Sequence, residues 1–186
     1  MSTELQGRRI AFIVANAGVE QIELTTPWQA LRNAGADTVL IAPNKETVQA
    51  FNNDVEPADT FDADLAIADA DPDDYDGLVL PGGTTNSDKL RTNADVVSFV
   101  ARFVGAGKPI ASVCHGPWTL VEADVLRGKD LTSWPSLQTD IRNAGGQWHD
   151  VEVFTCPMKG WTLVTSRKPD DLDAFTAAAI QAFSAT

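Results

Sequence analysis

The chain has little of the chemistry that metal sites and disulfide frameworks require. Its 186 residues include two cysteines and two histidines. Two cysteines, Cys114 and Cys156, are too few for a disulfide framework. The histidines, His115 and His149, form no cluster with metal-ligand spacing. We therefore expect neither a bound metal ion nor a fold stabilised by disulfides.

Positive charge and long apolar runs are also scarce. The chain carries 14 basic and 26 acidic residues, which gives a formal net charge of −12. This charge repels a phosphate backbone or an anionic bilayer, so we predict no nucleic-acid partner and no membrane partner. No apolar run approaches the roughly 18 residues of a membrane-spanning helix. The first apolar segment has only about six residues, too few for a signal peptide, which predicts a cytoplasmic location.

Apolar segments of strand length alternate with segments of helical periodicity. Strands are predicted at 8–16, 37–43, 77–83 and 108–113, with two more around a loop within 151–166. Helices are predicted from a cap at Thr26 and a first residue Pro27 to Gly35, over 94–104, over 116–126, over 135–143 and from Pro169 to Phe183. The acidic stretch 63–76 is predicted to be a solvated loop.

This order of elements predicts an α/β fold with a single domain over residues 1–186. A strand, a helix and a second strand form a βαβ unit, in which a right-handed crossover joins two parallel strands. We therefore expect a three-layer sandwich around a mainly parallel central sheet. Ligands of such sheets bind outside the carboxyl ends of the strands.

The segment VCHGP places Cys114 and His115 at one of these strand ends. A cysteine at the start of a helix faces free N–H groups and the positive end of the helix dipole, both of which lower its pKa. A neighbouring imidazole can stabilise the thiolate or move its proton. Two alternatives stay open: a buried structural cysteine, and a surface histidine that points away from the sulfur. His149 is the reserve candidate for the base, and Cys156 is interpreted as structural.

Two acidic residues and a glycine pair follow other strands. Glu20 and Glu23 are three residues apart and share a face if they are helical, although a plain acidic helix start gives the same pattern. A carboxyl held against Cys114 in a partly buried pocket has a raised pKa and can donate a hydrogen bond to the thiolate. The glycines at 82–83 offer N–H groups that suit an oxyanion hole together with the N–H of His115, but such pairs are also common in tight turns.

Five motifs, in order along the chain, resemble the PfpI (intracellular protease I) branch of the ThiJ/PfpI superfamily. They are GVEQIEL followed by a proline, VLPGG, VCHGP, TSW before a helix, and LVTSRKPDDL. The match extends from about residue 8 to residue 183. It implies the flavodoxin-like sandwich of class I glutamine amidotransferase-like proteins.

The resemblance also assigns roles to site residues. The family nucleophile falls on Cys114 and its adjacent histidine on His115. The glutamate that partners the thiol falls on Glu23, and Glu20 is a second family acid. The oxyanion donors fall on the backbone N–H groups of Gly83 and His115.

At one position the chain departs from the family pattern. In PfpI-type proteases, a glutamate a few residues after PGG reaches across from a neighbouring subunit and orients the histidine. Here Ser87 stands at or near that position, and Asp88 is one residue further on and shorter. The protease triad and the ring-shaped assembly that completes it are therefore not implied. A homodimer or higher homo-oligomer, usual in the superfamily, remains the expectation.

Three functions are compatible with these residues. The first is a stress-response enzyme, a glyoxalase III or deglycase, in which Cys114 attacks a small reactive carbonyl or its protein adduct. The second is a PfpI-type intracellular cysteine peptidase. The third is a non-enzymatic redox sensor or holdase that uses oxidation of Cys114. We predict no cofactor, because the loop NAGVEQIEL carries acids where a flavin phosphate requires Ser, Thr and Gly donors.

Overall fold

The computed structural model describes residues 3–185. The strands are β1 (Arg9–Ile13), β2 (Ala17–Glu20), β3 (Asp37–Ala42), β4 (Thr47–Asn52), β5 (Glu56–Asp62), β6 (Leu65–Ala66), β7 (Gly77–Leu80), β8 (Ile110–Val113), β9 (Asp130–Leu131), β10 (Gln147–Trp148), β11 (Val153–Cys156) and β12 (Leu163–Ser166). The α-helices are α1 (Gln21–Asn33), α2 (Thr84–Arg91), α3 (Ala94–Gly105), α4 (Pro117–Glu122), α5 (Gln138–Asn143) and α6 (Leu172–Ser184).

Seven strands form the central sheet, in the order β11-β12-β8-β7-β1-β3-β6. Every neighbouring pair is parallel except β11 with β12. Strands β7, β8 and β12 are buried along their whole length, as expected for a parallel sheet covered on both faces. A second sheet has the order β2-β4-β5, and β9 pairs with β10.

Alternate residues of β1 point to opposite faces of the sheet and belong to two separate cores. Ile10 and Phe12 pack with residues of α1 and α6. Ala11 and Ile13 pack with residues of α3, α4 and α5. The predicted three-layer α/β sandwich with a mainly parallel sheet is confirmed. Between residues 3 and 185, no helix is long and apolar enough to cross a membrane.

The predicted start of the first helix is wrong. Helix α1 begins at Gln21, Glu20 is its N-cap residue, and Pro27 lies inside it. A proline within a helix removes one backbone hydrogen bond. The helix tolerates this loss here because the face that includes Leu24 and Leu31 is buried in the core. The predicted end is correct.

Two other segments also differ from the prediction. Helix α4 ends at Glu122, soon before Asp124 with its left-handed φ of 53°. The stretch 63–76 is not simply solvated, because it contributes β6 to the sheet edge and buries Ile67 and Tyr75. Helix α6 lies where a helix is predicted and buries Leu172, Phe175, Ala179 and Phe183.

Residues 44–62 carry no predicted element, yet 47–62 form the hairpin β4–β5. Strand β5 has no buried residue, so its sequence lacks the apolar alternation that indicates a strand. The hairpin tip contains Asn53 and Asp54, both with positive φ (53° and 65°). Asn and Asp tolerate this conformation better than most residues. The hairpin tip lies next to the carboxyl ends of the central strands, where the candidate site is found.

A fully buried lysine joins two loops far from that site. The Nζ of Lys129 donates hydrogen bonds to the backbone carbonyls of Cys156, Met158 and Trp161. It also lies 3.8 Å from the centroid of the Trp161 ring. Burial lowers the pKa of Lys129 to about 8. The ammonium group therefore satisfies three carbonyl acceptors at one point.

Replacement of Lys129 with methionine is expected to lower the free energy of unfolding by about 3 kcal/mol, because buried carbonyls left without a donor each cost about 1 kcal/mol or more. Urea denaturation at pH 7 measures this change. The matched control is Lys45→Met, since Lys45 is exposed. Equal stability of the Lys129 variant and the wild type would show that the three carbonyls find other donors.

Candidate functional site

A pocket lies at the carboxyl ends of the central strands. Its volume is about 260 Å³. The lining residues come from six segments that are distant in sequence: Glu20, Glu23, Asn53, Asp54, Gly83, Cys114, His115, Trp134 and Pro169. The structure thus brings together all five predicted site residues. Within residues 3–185, no group of three or more His, Cys, Asp and Glu side chains is arranged to hold a metal ion.

Cys114 occupies a strained turn directly after β8. Its φ is 60°, in the left-handed region that non-glycine residues rarely adopt. Its N–H donates to the carbonyl of Ser166 at 3.1 Å, and its carbonyl accepts from the N–H of Trp134 at 2.9 Å. The turn continues through Gly116, where a Cβ atom would lie 2.5 Å from the carbonyl oxygen of Leu80. These contacts fix the backbone that presents the sulfur to the pocket.

The imidazole of His115 faces the sulfur of its neighbour. The distance from Cys114 Sγ to His115 Nδ1 is 3.2 Å. Both residues are only 6% exposed, and the imidazole packs against the rings of Trp118 and Trp134. The alternative of a surface histidine that points away from the sulfur is therefore wrong.

Glu23 is completely buried beside Cys114. Its carboxyl group faces the thiol and the backbone of Gly82. Gly82 has no room for a side chain, because a Cβ atom there would collide with the Glu23 carboxyl and lie 2.6 Å from the Cβ of Cys114. Burial, above all, raises the pKa of Glu23 to about 8, and the charges of Glu20 and Asp54 add to this. At neutral pH the carboxyl is mainly protonated and can donate a hydrogen bond to a thiolate.

The predicted lowering of the Cys114 pKa is wrong. Burial raises the pKa of the thiol, and the neighbouring Glu23, once it is ionised, raises it further. The N–H groups of Gly83 and His115 act in the opposite direction but do not outweigh burial. Helix α4 begins only at Pro117 and has six residues, so its dipole contributes little. The resting form is the thiol, and attack requires a base that removes its proton.

His115 is suited to be that base. Burial lowers the pKa of the imidazole, although the charge of Asp54 partly opposes this effect. The imidazole is therefore neutral at physiological pH, and its Nδ1 atom lies at hydrogen-bond distance from the sulfur. A base in contact with the nucleophile is what a buried thiol requires.

Two backbone N–H groups approach the sulfur. They belong to Gly83 and His115. Gly83 has a φ of 94°, and a Cβ atom there would be 2.7 Å from the backbone nitrogen of Glu20. Only glycine fits this position. The arrangement offers two donors to an oxygen that becomes negatively charged next to the sulfur.

Glu20 lines the pocket but is engaged elsewhere. Its two carboxylate oxygens accept hydrogen bonds from the N–H groups of Asn53 and Asp54, each at 3.0 Å. The side chain therefore holds the hairpin tip against the start of α1. The structure supports a positioning role for Glu20 and places only Glu23 against the thiol.

The other two candidates from the sequence lie outside the pocket. His149 Nε2 is 2.6 Å from Asp130 Oδ1, beside strands β9 and β10, and so His149 is not available as the reserve base. Cys156 is 1% exposed, and its sulfur accepts the N–H of Asp130. Its surroundings favour the structural interpretation.

Comparison with known proteins identifies the family of this site. A family model described as DJ-1/PfpI matches residues 8–182. The chain belongs to this family. One DJ-1/PfpI relative is YraA from Bacillus subtilis (strain 168), provisionally named a cysteine protease. It is 38% identical over 170 residues, and the match covers 90% of this chain and 94% of YraA. Protein/nucleic acid deglycase 2 from Escherichia coli (strain K12) is 35% identical over 179 residues, 96% of this chain and 99% of the deglycase.

A solved structure supports the same assignment. The crystal structure of DJ-1beta from Drosophila melanogaster matches with a TM-score of 0.83 at 27% identity, and the match covers 100% of this chain and 92% of DJ-1beta. The resemblance inferred from the five motifs is thus confirmed, and so is the flavodoxin-like fold of the class I glutamine amidotransferase type.

The position that differs from PfpI-type proteases of the DJ-1/PfpI family points into the protein. Ser87 lies in α2 and is completely buried, whereas Asp88 is exposed. The side chain of Ser87 therefore points away from the surface of the chain.

Asp54 and Trp134 are pocket residues that the sequence reasoning missed as site residues. Trp134 was noted only as part of a family motif, and its ring stacks on His115 at 5.8 Å between centroids. Asp54 lies in the stretch NND, and such Asn and Asp clusters indicate a turn. That signal predicts the turn but not the position of its tip beside Cys114.

Proposed function

We propose that the protein is a stress-response enzyme that acts on small reactive carbonyls or their protein adducts, in the manner of a glyoxalase III or deglycase. The observation that carries this proposal is the contact of 3.2 Å between Cys114 Sγ and His115 Nδ1. Protonated Glu23 and two backbone donors surround the same sulfur. The name of the Escherichia coli relative, a deglycase, supports it.

In the proposed reaction with methylglyoxal, the Cys114 thiol gives its proton to His115 Nδ1 while the sulfur attacks the aldehyde carbon. The carbonyl electron pair moves to oxygen, which the N–H groups of Gly83 and His115 stabilise and which then takes the proton from His115 Nδ1. The resulting hemithioacetal loses its C–H proton to a base, and the neighbouring ketone carbon gains a proton through an enediol. Water then hydrolyses the thioester to lactate and restores the thiol. Glu23 or His115 moves these protons.

The wild-type protein, with Cys114 reduced, is expected to form lactate from methylglyoxal in the absence of glutathione. Lactate is measured by an enzymatic assay at pH 7.5 after treatment with a chelator, which inactivates contaminating metal-dependent glyoxalases. Heat-denatured protein is the control for uncatalysed conversion. Absence of lactate with the thiol confirmed as reduced would overturn the proposed reaction.

A cysteine peptidase is the second candidate, favoured by the similarity to YraA. A peptidase must protonate an amine leaving group, and the Cys114–His115 pair offers one proton carrier for this step. Degradation of casein by protein that forms no lactate would support the peptidase. The redox-sensor hypothesis has less support, because the raised pKa of Cys114 disfavours the thiolate that peroxide oxidises.

The proposed substrates are small carbonyl compounds or carbonyl adducts of proteins. The net charge of −12 disfavours nucleic acid as a partner. Both cysteines are free, which fits a reducing compartment such as the cytoplasm. We keep a homodimer or higher homo-oligomer as the expected assembly, and light scattering would test it.

A further inference from the structure

The hydroxyl group of Thr84 links His115 to a carboxylate of the same chain. Thr84 Oγ1 is 3.4 Å from His115 Nε2, the ring nitrogen that faces away from the sulfur. The Thr84 hydroxyl donates to Asp54 Oδ2 at 2.9 Å, and the Thr84 N–H donates to Asp54 Oδ1 at 2.7 Å. Both carboxylate oxygens of Asp54 are therefore bound to one residue. The connection runs from Cys114 through His115 and Thr84 to Asp54.

The hairpin tip that carries Asp54 is held in place. Its backbone adopts a left-handed φ of 65°, and its N–H donates to Glu20 Oε2 at 3.0 Å. Thr84 is the first residue of α2 and directly follows Gly83, whose backbone geometry excludes any side chain. The link is thus built from two rigid segments, the β4–β5 hairpin tip and the turn before α2.

The hydrogen bonds of the Thr84 hydroxyl determine which ring nitrogen of His115 carries the hydrogen. A threonine hydroxyl has one hydrogen to donate, and here it points to the Asp54 carboxylate. The oxygen of Thr84 can then only accept from His115, so Nε2 must carry the ring hydrogen. In a neutral imidazole the other nitrogen, Nδ1, then has the free lone pair. That lone pair faces Cys114 Sγ.

We propose that Asp54 and Thr84 are positioning residues that fix His115 in its Nε2–H form and so make Nδ1 the base for Cys114. The pair supplies within one chain the orienting carboxylate that PfpI-type proteases take from a neighbouring subunit. When Nδ1 takes the thiol proton, the imidazole becomes positively charged, and the Asp54 carboxylate stabilises that charge through the Thr84 hydroxyl. No proton reaches Asp54 in this step.

Nitrogen-15 NMR shows directly which ring nitrogen of His115 carries the hydrogen. The chain has two histidines, so in a His149→Gln background all remaining histidine signals belong to His115. Long-range proton–nitrogen correlation at pH 7.5 is expected to show the Nε2–H form in the wild type and in Thr84→Ser, which keeps the hydroxyl. Asp54→Asn is expected to populate the Nδ1–H form, because its amide can donate to Thr84 and leaves the hydroxyl free to donate to Nε2. Thr84→Val is expected to give a mixture.

Kinetics provide the second measurement, which rests on the proposed lactate reaction. Thr84→Val and Asp54→Asn are expected to lower kcat about 100-fold with little change in KM, as for loss of a well-placed general base. Thr84→Ser keeps the hydroxyl, so its kcat should stay within about threefold of the wild type. The matched control is Thr85→Val, because Thr85 is the exposed neighbour in the same turn, and it should change neither kcat nor the NMR pattern.

The two measurements separate the possible failures. The NMR pattern does not require turnover, so it tests the link even if methylglyoxal is not a substrate. An Nδ1–H form in the wild type, or the same Nε2–H form in all variants, would overturn the proposal. So would an equal loss of kcat in Thr84→Ser and Thr84→Val, since that result would show a role of packing and not of the hydroxyl.

Discussion

Replacement of Cys114 with alanine is expected to lower kcat/KM for lactate formation by about 10³-fold or more, the loss typical of a missing nucleophile. The groups of the site are directed at the Cys114 sulfur, so no other atom can take its place as the nucleophile. His115 Nδ1 is directed at it, and Glu23 and two backbone N–H groups lie around it. Methylglyoxal and lactate are both quantified, because methylglyoxal also disappears by reaction with surface amines.

The control for this variant is Cys156→Ala. Cys156 is the other free cysteine, and its sulfur accepts the N–H of Asp130 outside the pocket. This variant should keep a kcat/KM within about threefold of the wild type, since it alters no group that touches the substrate. Turnover that survives in Cys114→Ala would exclude covalent catalysis at this position. Turnover lost equally in both variants would indicate a general effect on folding.

The main features of the fold follow from local patterns in the sequence. Uniformly apolar strands such as GLVL at 77–80 are buried along their whole length in the central sheet. The β4–β5 hairpin was missed because β5 has no buried residue, and its pairing with β4 decides its structure. Pro27 was placed at a helix start because local preference favours it there. Burial of one face of α1 overrides that preference.

The site shows the same division between local and long-range information. The sequence predicts that Cys114, His115 and Glu23 meet, and the structure brings them together. The sequence could not predict that Asp54 belongs to the site. Asp54 reaches the pocket through contacts with residues about 30 positions away in either direction. Nor could the sequence predict the direction of the Cys114 pKa, because a strand-to-helix turn lowers the pKa only when the thiol is accessible. Burial, which depends on the whole fold, decides the sign.

Replacement of Glu23 with glutamine is expected to make the stability of the protein less dependent on pH. In the folded protein the pKa of Glu23 is about 8, compared with an ordinary value of 4.5. The folded state therefore holds the Glu23 proton more tightly than the unfolded state. Stability contributed by this proton is complete below pH 4.5 and is lost as the pH rises to about 8. At about 1.4 kcal/mol per pKa unit, the complete loss is about 5 kcal/mol, of which about 4 kcal/mol falls between pH 5 and pH 9.

Urea denaturation of both proteins at pH 5 and pH 9 measures this effect. The free energy of unfolding of Glu23→Gln, relative to the wild type, should rise by about 4 kcal/mol between these pH values. All other titrating groups are common to both proteins and cancel in the difference. Glu46→Gln, at an exposed position, serves as the matched control and should show no such rise. A constant difference between Glu23→Gln and the wild type would mean that Glu23 is not protonated in the folded protein at neutral pH.

The expected gain in stability bears on the function of Glu23. A buried carboxyl that costs stability at neutral pH has no structural reason to be there, since glutamine has nearly the same shape and carries no charge. Residues that destabilise a fold in this way are concentrated at functional sites. If Glu23→Gln is more stable at pH 9 but forms lactate more slowly, then the protein retains a destabilising acid because the thiolate formed in the reaction requires a hydrogen-bond donor beside it. A lower free energy of unfolding at both pH values and unchanged turnover would instead assign Glu23 to packing alone.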